Sequence, residues 1–267
     1  MLQESFNLLL QDNSNTLPMH TNTYITPYIS PPVEEDLSAI LKKIGRKIQL
    51  KKREYILRKS VINSFIYVES GLLGRIRETP LQLKQTYLDL IPPQRVANFI
   101  NFFSPGKVHI SILSLRNSEV YMAPFEEIYK IMAQNFSISQ KFEEMYGANA
   151  ETLIRSSHCN FIFPCEYRLL SLFKAMVRHS QLKPDADGWI LLPYKLTREE
   201  YCQIIFSSLL TLDKILLHWK KELLYKKNKE GSFVHQNLLK KSIMESLSKE
   251  HGVGQTIHTK HGLIHKV

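Results

Sequence analysis

The side chains of this chain best placed to do chemistry are cations, and the chemistry they fit is contact with phosphate. From Lys195 to the C-terminus there are thirteen Lys and Arg against seven Asp and Glu, a net +6 out of +10 for the whole chain. A basic segment, KKELLYKKNKEGSFVH, lies inside that last third. Clustered cations neutralise nucleic-acid phosphates and release counterions, which supplies the sequence-independent part of DNA affinity. A lysine-rich solvated surface is the plain alternative. Catalysis finds little to stand on: there is no Gly-rich phosphate loop, no GxSxG elbow, no HExxH and no close carboxylate pair in a recognisable setting. Cys159, Cys165 and Cys202 are too few and scattered for a disulfide framework, which points to a reducing compartment, the cytoplasm. His258, His261 and His265 would be gathered by a helix, but in a C-terminal tail they read as unligated, so no metal is assigned.

Phosphate contact needs a scaffold, and the stretch LTREEYCQIIFSSLLTLDKILLHW (196–219) has the pattern of one. Tyr201, Ile204 and Ile205 make one apolar stripe, and Leu209, Leu212, Leu216 and Trp219 make a second. Both follow helical spacing, so each can face a common core. Thr197 with Glu200 has the capping-box spacing, and Phe206-Ser207-Ser208 breaks the two helices. Two short helices and a tight turn, followed by a basic hairpin, are the layout of a winged helix-turn-helix.

Upstream, residues 1–35 read as a flexible arm, rich in Asn and Thr and interrupted by the prolines of YITPYISPP. A short helix is expected at Glu35–Ile44. From Ile48 to Met122 come brief β-favouring segments, YILRKSV, SFIYVESG, LLGRIRE, QTYLDLI, KVHISILSL and SEVYMAP, punctuated by turns as in an antiparallel barrel. Gly71 is placed for a hairpin turn with positive φ. Helical texture follows in Phe125–Ala133, then in Ser139–Ser157 with Phe142, Met145, Tyr146, Asn149, Leu153 and Ser156 on one narrow stripe, read as a dimer seam. After Pro164, CEYRLLSLFKAMVRHS is a further helix, and KKSIMESLSKEH closes the pattern with another. No apolar run approaches the roughly 18–20 residues of a membrane span, and the start of the chain has no secretion-signal pattern.

This order resembles the Crp/Fnr family of bacterial transcription regulators. The motifs that carry the resemblance are SFIYVESGLLGRIRE, SEVYMAPFEEIYKIM, CEYRLLSLFKAM with Arg168, and LTREEYCQII. It implies an α+β fold: an N-terminal cyclic-nucleotide-binding-like β-roll (36–134), a long dimerisation helix and hinge (135–163), a C-terminal winged helix-turn-helix (164–239) and a tail (240–267). It further implies a homodimer that binds double-stranded DNA under control of a small-molecule effector, with RNA polymerase as a further partner, no cofactor, no membrane and no enzymatic activity. By position, Thr197 and Arg198 resemble the family's phosphate contacts, Ser208 caps the reading helix, Lys214 falls where an arginine is common, and Lys226 and Lys227 lie in the wing. Thr211, His218 and Lys221 complete the outward, DNA-facing set.

The chain also departs from the family. Phe206 replaces the usual turn glycine, Leu209 and Leu210 stand where bases are usually read, and Asp213 sets a negative charge near the DNA. Leucine cannot make bidentate hydrogen bonds to base edges, though it can touch a thymine methyl. The alternative reading is therefore a sensor or interaction module of the same fold whose degenerate reading helix no longer recognises specific DNA; burial of Leu210 and Leu217 against protein would favour it. The phosphate-gripping pair of cyclic-nucleotide binders is missing, so cyclic AMP is not expected. Phe99, Asn101, Lys107, His109, Ser111, Tyr146 and Asn149 are the effector-binding set, for a ligand with an apolar body. The bland reading of these residues is barrel core and loop. Three cysteines, none before Cys159, exclude the family's iron–sulfur arrangement.

Overall fold

The computed structural model describes residues 25–77, 86–104, 108 and 110–241. Eight short strands build a β-roll of two four-stranded antiparallel sheets. One has the order β1 (Arg46–Leu50), β8 (Ser118–Pro124), β3 (Ser64–Ser70), β6 (Val96–Ala97). The other has the order β2 (Tyr55–Ser60), β7 (Ile110–Ser114), β4 (Leu73–Arg77), β5 (Thr86–Ile91). Between them lies an aliphatic core that includes Leu57, Ile66, Val68, Leu73, Ile112 and Val120. The β3–β4 turn is made by Gly71 at φ +91°, where a Cβ would sit 2.4 Å from the Asn117 carbonyl oxygen, so a side chain is excluded there by space as well as by backbone.

Helices cover the outer face of the β1-β8-β3-β6 sheet, where Phe65, Tyr67 and Ala123 point away from the core between the sheets. These helices are α1 (Glu35–Ile44), α2 (Ile100–Phe103) and α3 (Phe125–Gln134), followed by the long α4 (Phe136–Ile162). The first matches the sequence expectation residue for residue. Asn135 starts α4 by accepting the Ile138 amide on its side chain, three residues before the expected start. The helix stops where Phe163 is held extended ahead of Pro164. Phe65 lies 4.7–5.7 Å, ring centre to ring centre, from Phe102, Phe125 and Phe142, and this aromatic knot fixes α4 to the roll.

Two expectations change here. The stripe Phe142, Met145, Asn149, Ser156 is buried, with Phe142 and Met145 in the roll's own aromatic core and Ser156 accepting the Tyr28 amide. It is thus an intrachain seam. The helix instead exposes Gly147, Ile154 and Phe161, seven residues apart, with Ile154 57% and Phe161 76% exposed. The second change concerns the arm. Its described part, from Ile25 to Glu34, is docked: Tyr28 and Ile29 have no exposed surface, and Ile29 makes a parallel bridge to Leu90 on β5.

Beyond Pro164 come α5 (Cys165–His179), β9 (Trp189–Leu191), α6 (Arg198–Ile204), α7 (Leu209–Lys221), β10 (Tyr225–Lys227), β11 (Ser232–His235) and α8 (Gln236–Lys240). The three strands form a small antiparallel sheet in the order β10-β11-β9. The expected final helix from Lys240 lies largely outside the described residues, as do His258, His261 and His265. One apolar cluster runs without a break from Tyr28, Leu72 and Leu90 of the roll side into Leu170, Phe173, Ile204 and Trp219. Among the described residues no helix is long and apolar enough to cross a membrane.

Candidate nucleic-acid interface

Helix α6 begins with a complete capping box. The Thr197 hydroxyl accepts the Glu200 amide at 3.1 Å, and the Glu200 carboxylate accepts the Thr197 amide at 2.8 Å. Glu200 is buried and has a second partner: both Nη atoms of Arg116, in the β7–β8 turn of the roll, donate to its two oxygens at 2.9 Å. The first motif helix is thereby tied to the roll by a forked, charge-assisted contact. Tyr201, Ile204 and Ile205 face the core as their spacing demands.

Phe206 does not widen the turn. It takes the left-handed conformation itself, at φ +51°, and the Ser207 amide donates back to the Cys202 carbonyl at 2.9 Å, a Schellman-type helix end. Arg168 donates to the carbonyls of Ile205 and Phe206 at 2.8 and 3.1 Å, and this holds the strained turn in place. A non-glycine residue in that region costs about 1–2 kcal/mol. Phe206→Gly is therefore expected to raise stability by up to about 1 kcal/mol, once the larger backbone entropy of glycine in the unfolded chain is set against the relief. Urea denaturation measures it; a loss above about 1 kcal/mol would show that the half-exposed ring supports the turn.

Ser208 caps α7, its hydroxyl accepting the Thr211 amide at 3.1 Å. Leu212 and Trp219 anchor the helix inward, and the Trp219 indole donates to Glu166 at 2.6 Å. Leu209, read from spacing as part of the inward stripe, is 42% exposed instead, since Ile215 and Leu216 fill the space beside Trp219. The outward face presents Leu210, Thr211, Lys214, Leu217, His218 and Lys221. Leu210 is 67% and Leu217 54% exposed, so neither is packed on protein among the described residues. Asp213 is not a bare charge: Arg198 donates to both its oxygens at 2.8 and 2.9 Å. That pair links the starts of the two motif helices, and it engages the guanidinium read from sequence as a phosphate contact.

The wing is the β10–β11 hairpin, whose turn is closed by Asn228 bonding to Gly231. Lys227 and Lys229 are exposed. Lys226 is exposed too, but its ammonium lies 4.0 Å above the Trp189 ring and 5.2 Å from that of Phe233. Arg116, Arg168 and Trp189 are supports that sequence reading missed as partners. Thr197 and Ser208 cap the motif helices, Lys214 and Lys221 lie on the second of them, and Lys226 and Lys227 lie in the wing, the places that the resemblance implied.

The effector set is placed differently. Phe99 is fully buried and meets Tyr146 edge-on at 5.9 Å. Asn101 bonds to Asn98 and to both backbone groups of Val108, holding a loop. Ser111 is buried on β7, and Asn149 donates to the Met145 carbonyl in its own helix. All five make contacts within the chain, with the Asn149 side-chain oxygen buried and without a hydrogen-bond partner among the described residues; Lys107 and His109 lie outside the described residues. In the roll interior Arg75 and Asp89 face each other at 3.2 Å, both fully buried, and the guanidinium stacks 4.7 Å from the Phe99 ring. Burial pushes the Asp89 carboxyl up to about 6, against the pull of Arg75.

No family model and no curated protein sequence matches the chain. Solved structures do. FixK2 from Bradyrhizobium japonicum is similar over 73% of this chain and 96% of its own, with 12% identity and a TM-score of 0.62. A cyclic nucleotide-binding domain containing protein from Listeria monocytogenes is similar over 77% of this chain and 100% of its own, with 14% identity and a TM-score of 0.62. TTHB099, a transcriptional regulator of the CRP family from Thermus thermophilus, matches 77% of this chain and 96% of its own, with 13% identity and a TM-score of 0.56. The fold, a cyclic-nucleotide-binding-like β-roll joined to a winged helix-turn-helix, is the one that Crp/Fnr regulators have.

Proposed function

We propose, starting from a chain with the Crp/Fnr fold, that this protein is a homodimeric transcription regulator that binds duplex DNA and responds to a small-molecule effector. The observation that carries the reading is the open outward face of α7. Lys214 and Lys221 stand exposed beside Leu210 and Leu217, and the basic wing follows directly. A helix packed away in a purely structural role would cover those leucines. In a groove they offer contacts to thymine methyls, while Lys214, Lys221, Lys227 and the caps of both motif helices meet phosphates. Gly147, Ile154 and Phe161 give α4 an exposed small-and-apolar seam at heptad spacing, which suits a second copy of the helix. In this reading the effector acts by shifting the angle between the roll and the winged domain.

The test is selection of bound fragments from the source genome at moderate salt, with and without cell extract. Specific enrichment is expected, and binding no stronger than to heparin would overturn the reading. Lys214→Ala should weaken binding and lower the salt slope by about one. Asp213→Asn has the opposite sign. It removes an anion from the DNA-facing side and releases Arg198 toward phosphate, so affinity should rise and the slope steepen, by fluorescence anisotropy at several salt concentrations. The second reading, a protein-interaction module, called for Leu210 and Leu217 to be covered by protein, and both are exposed; it predicts no salt-dependent binding to any duplex.

A further inference from the structure

Between the roll and the first motif helix lies a cleft of about 420 Å³, within the range of small-molecule sites. Its floor is apolar and aromatic. Tyr87, Leu113 and Leu115 are 2–6% exposed, and Tyr55 stands at the side with Arg58 over its ring. The Tyr87 ring lies directly on Gly74, where a Cβ would come within 2.7 Å of it, so the floor depends on that glycine. Tyr87 is almost wholly buried at the cleft floor. Burial, and then the Glu200 carboxylate, push its pKa up to about 12, so it keeps its proton at neutral pH.

The two walls carry different chemistry. On the roll side, Lys52 and Arg53 sit in the β1–β2 turn. That turn is pinned through their backbone amides, Lys52 to the Asn117 side chain at 2.9 Å and Arg53 to the Ser114 carbonyl at 2.7 Å. Both side chains are exposed, with no ion pair or hydrogen bond among the described residues. The opposite wall is α6, with Thr197, Glu199, Glu200 and Gln203. Thr197 and Glu200 are committed to the capping box and to Arg116. Glu199, whose carboxylate is bonded to its own backbone amide and to the Thr197 hydroxyl, completes that wall with Gln203.

We infer that this cleft binds a small planar organic acid. Its carboxylate lies between Lys52 and Arg53, its ring rests on Tyr87 and the leucines, and a neutral or N–H-bearing far end faces Glu199 and Gln203. A second anionic group is disfavoured at that end by the Glu199 charge. Such a ligand would touch both domains at once, next to the Arg116–Glu200 fork that joins them. It would therefore bear directly on the angle of the winged domain, with no need to enter the roll interior, where Arg75, Asp89 and Phe99 already pack together. Only this last consequence rests on the regulator reading; the site itself does not.

The probe is naphthalene-2-carboxylate, titrated calorimetrically into the full chain, with naphthalene-2-methanol as the neutral isostere. One site per chain is expected, with the acid bound roughly tenfold more tightly than the alcohol, as a charge-assisted contact requires. Lys52→Ala combined with Arg53→Ala, both on the surface, should erase that preference while the melting curve stays unchanged. Tyr87→Phe should weaken the acid several-fold. Equal binding of acid and alcohol, an acid preference that survives the double substitution, or no saturation by millimolar acid would each overturn the inference. Because DNA is absent from the titration, loss of acid binding with intact DNA binding removes this site alone. The converse result removes the regulator reading alone.

Discussion

Tyr28→Ala is expected to destabilise the chain by about 3–5 kcal/mol, the range for deleting a fully buried aromatic side chain. The ring has no exposed surface and sits in the cluster that joins the roll to the winged domain. Its polar atoms are all engaged: the amide donates to Ser156 at 2.7 Å, the hydroxyl to Asn160 at 2.8 Å, and the carbonyl accepts the Leu90 amide at 2.8 Å. Asn160 in turn donates to the Ile204 carbonyl at the end of the first motif helix. Tyr28 also holds φ +69°, an unfavourable value that persists only because these partners over-determine it. Tyr28→Phe keeps the packing and should cost about 1 kcal/mol, the net worth of one hydrogen bond. Chemical denaturation separates the two; a loss below about 1 kcal/mol for Tyr28→Ala would mean that the segment is only laid on the surface.

Asp89→Leu alone should cost a comparable amount, about 3–5 kcal/mol, because it strands the Arg75 guanidinium in an apolar interior. No other partner is at hand: Arg75 and Asp89 have no well-formed hydrogen bond to any described group, and each is at most 1% exposed. Replacing both, as Arg75→Met with Asp89→Leu, should range from neutral to about 4 kcal/mol more stable, since the charges cost more to desolvate than their attraction returns. The pH dependence has a definite sign. The carboxyl pKa is raised from 3.8 to about 6 by burial, so the folded state holds that proton more tightly than the unfolded chain. Its contribution is most favourable below about pH 4 and is lost as the pH rises through about 6. The difference in stability between wild type and double variant should therefore widen, in favour of the variant, over that interval. A double variant as unstable as the single one would show that the pair is needed for the roll to close.

These two sites show where sequence reading runs out. The helix-turn-helix was legible because its signals are local: Thr197 caps three residues ahead, Ser208 does the same, and the inward stripes follow one helical period. Leu209 slipped outward because a stripe fixes a face only to within about one position at a helix start. Phe206 was visible as a missing glycine, but nothing nearby announced that Arg168 would hold its turn. Asp213 looked like an obstacle to DNA because its partner Arg198 lies on the preceding helix. The strap 25–34 read as coil because its prolines exclude regular structure; they say nothing about burial. For Arg75, alternation along β4 gives two faces, and charge alone would have put that side chain in water. Contacts between distant parts of the chain decided each of these positions.

The docking of residues 26–30 also bears on the order in which the molecule can be made. Their partners are Leu90, Ser156, Asn160 and His179, between about 60 and 153 positions further along. On a ribosome this piece leaves the tunnel before any of those partners and must wait, unpartnered, until they are synthesised. Pairings that close such large loops slow folding, because the ordering entropy is lost before the contact is gained. The roll can close its sheets from neighbouring strands, and the winged domain can close on its own helices, so both should precede the strap. Its arrival would then be the last event of folding, and the one that converts two separately folded bodies into a single cooperative unit.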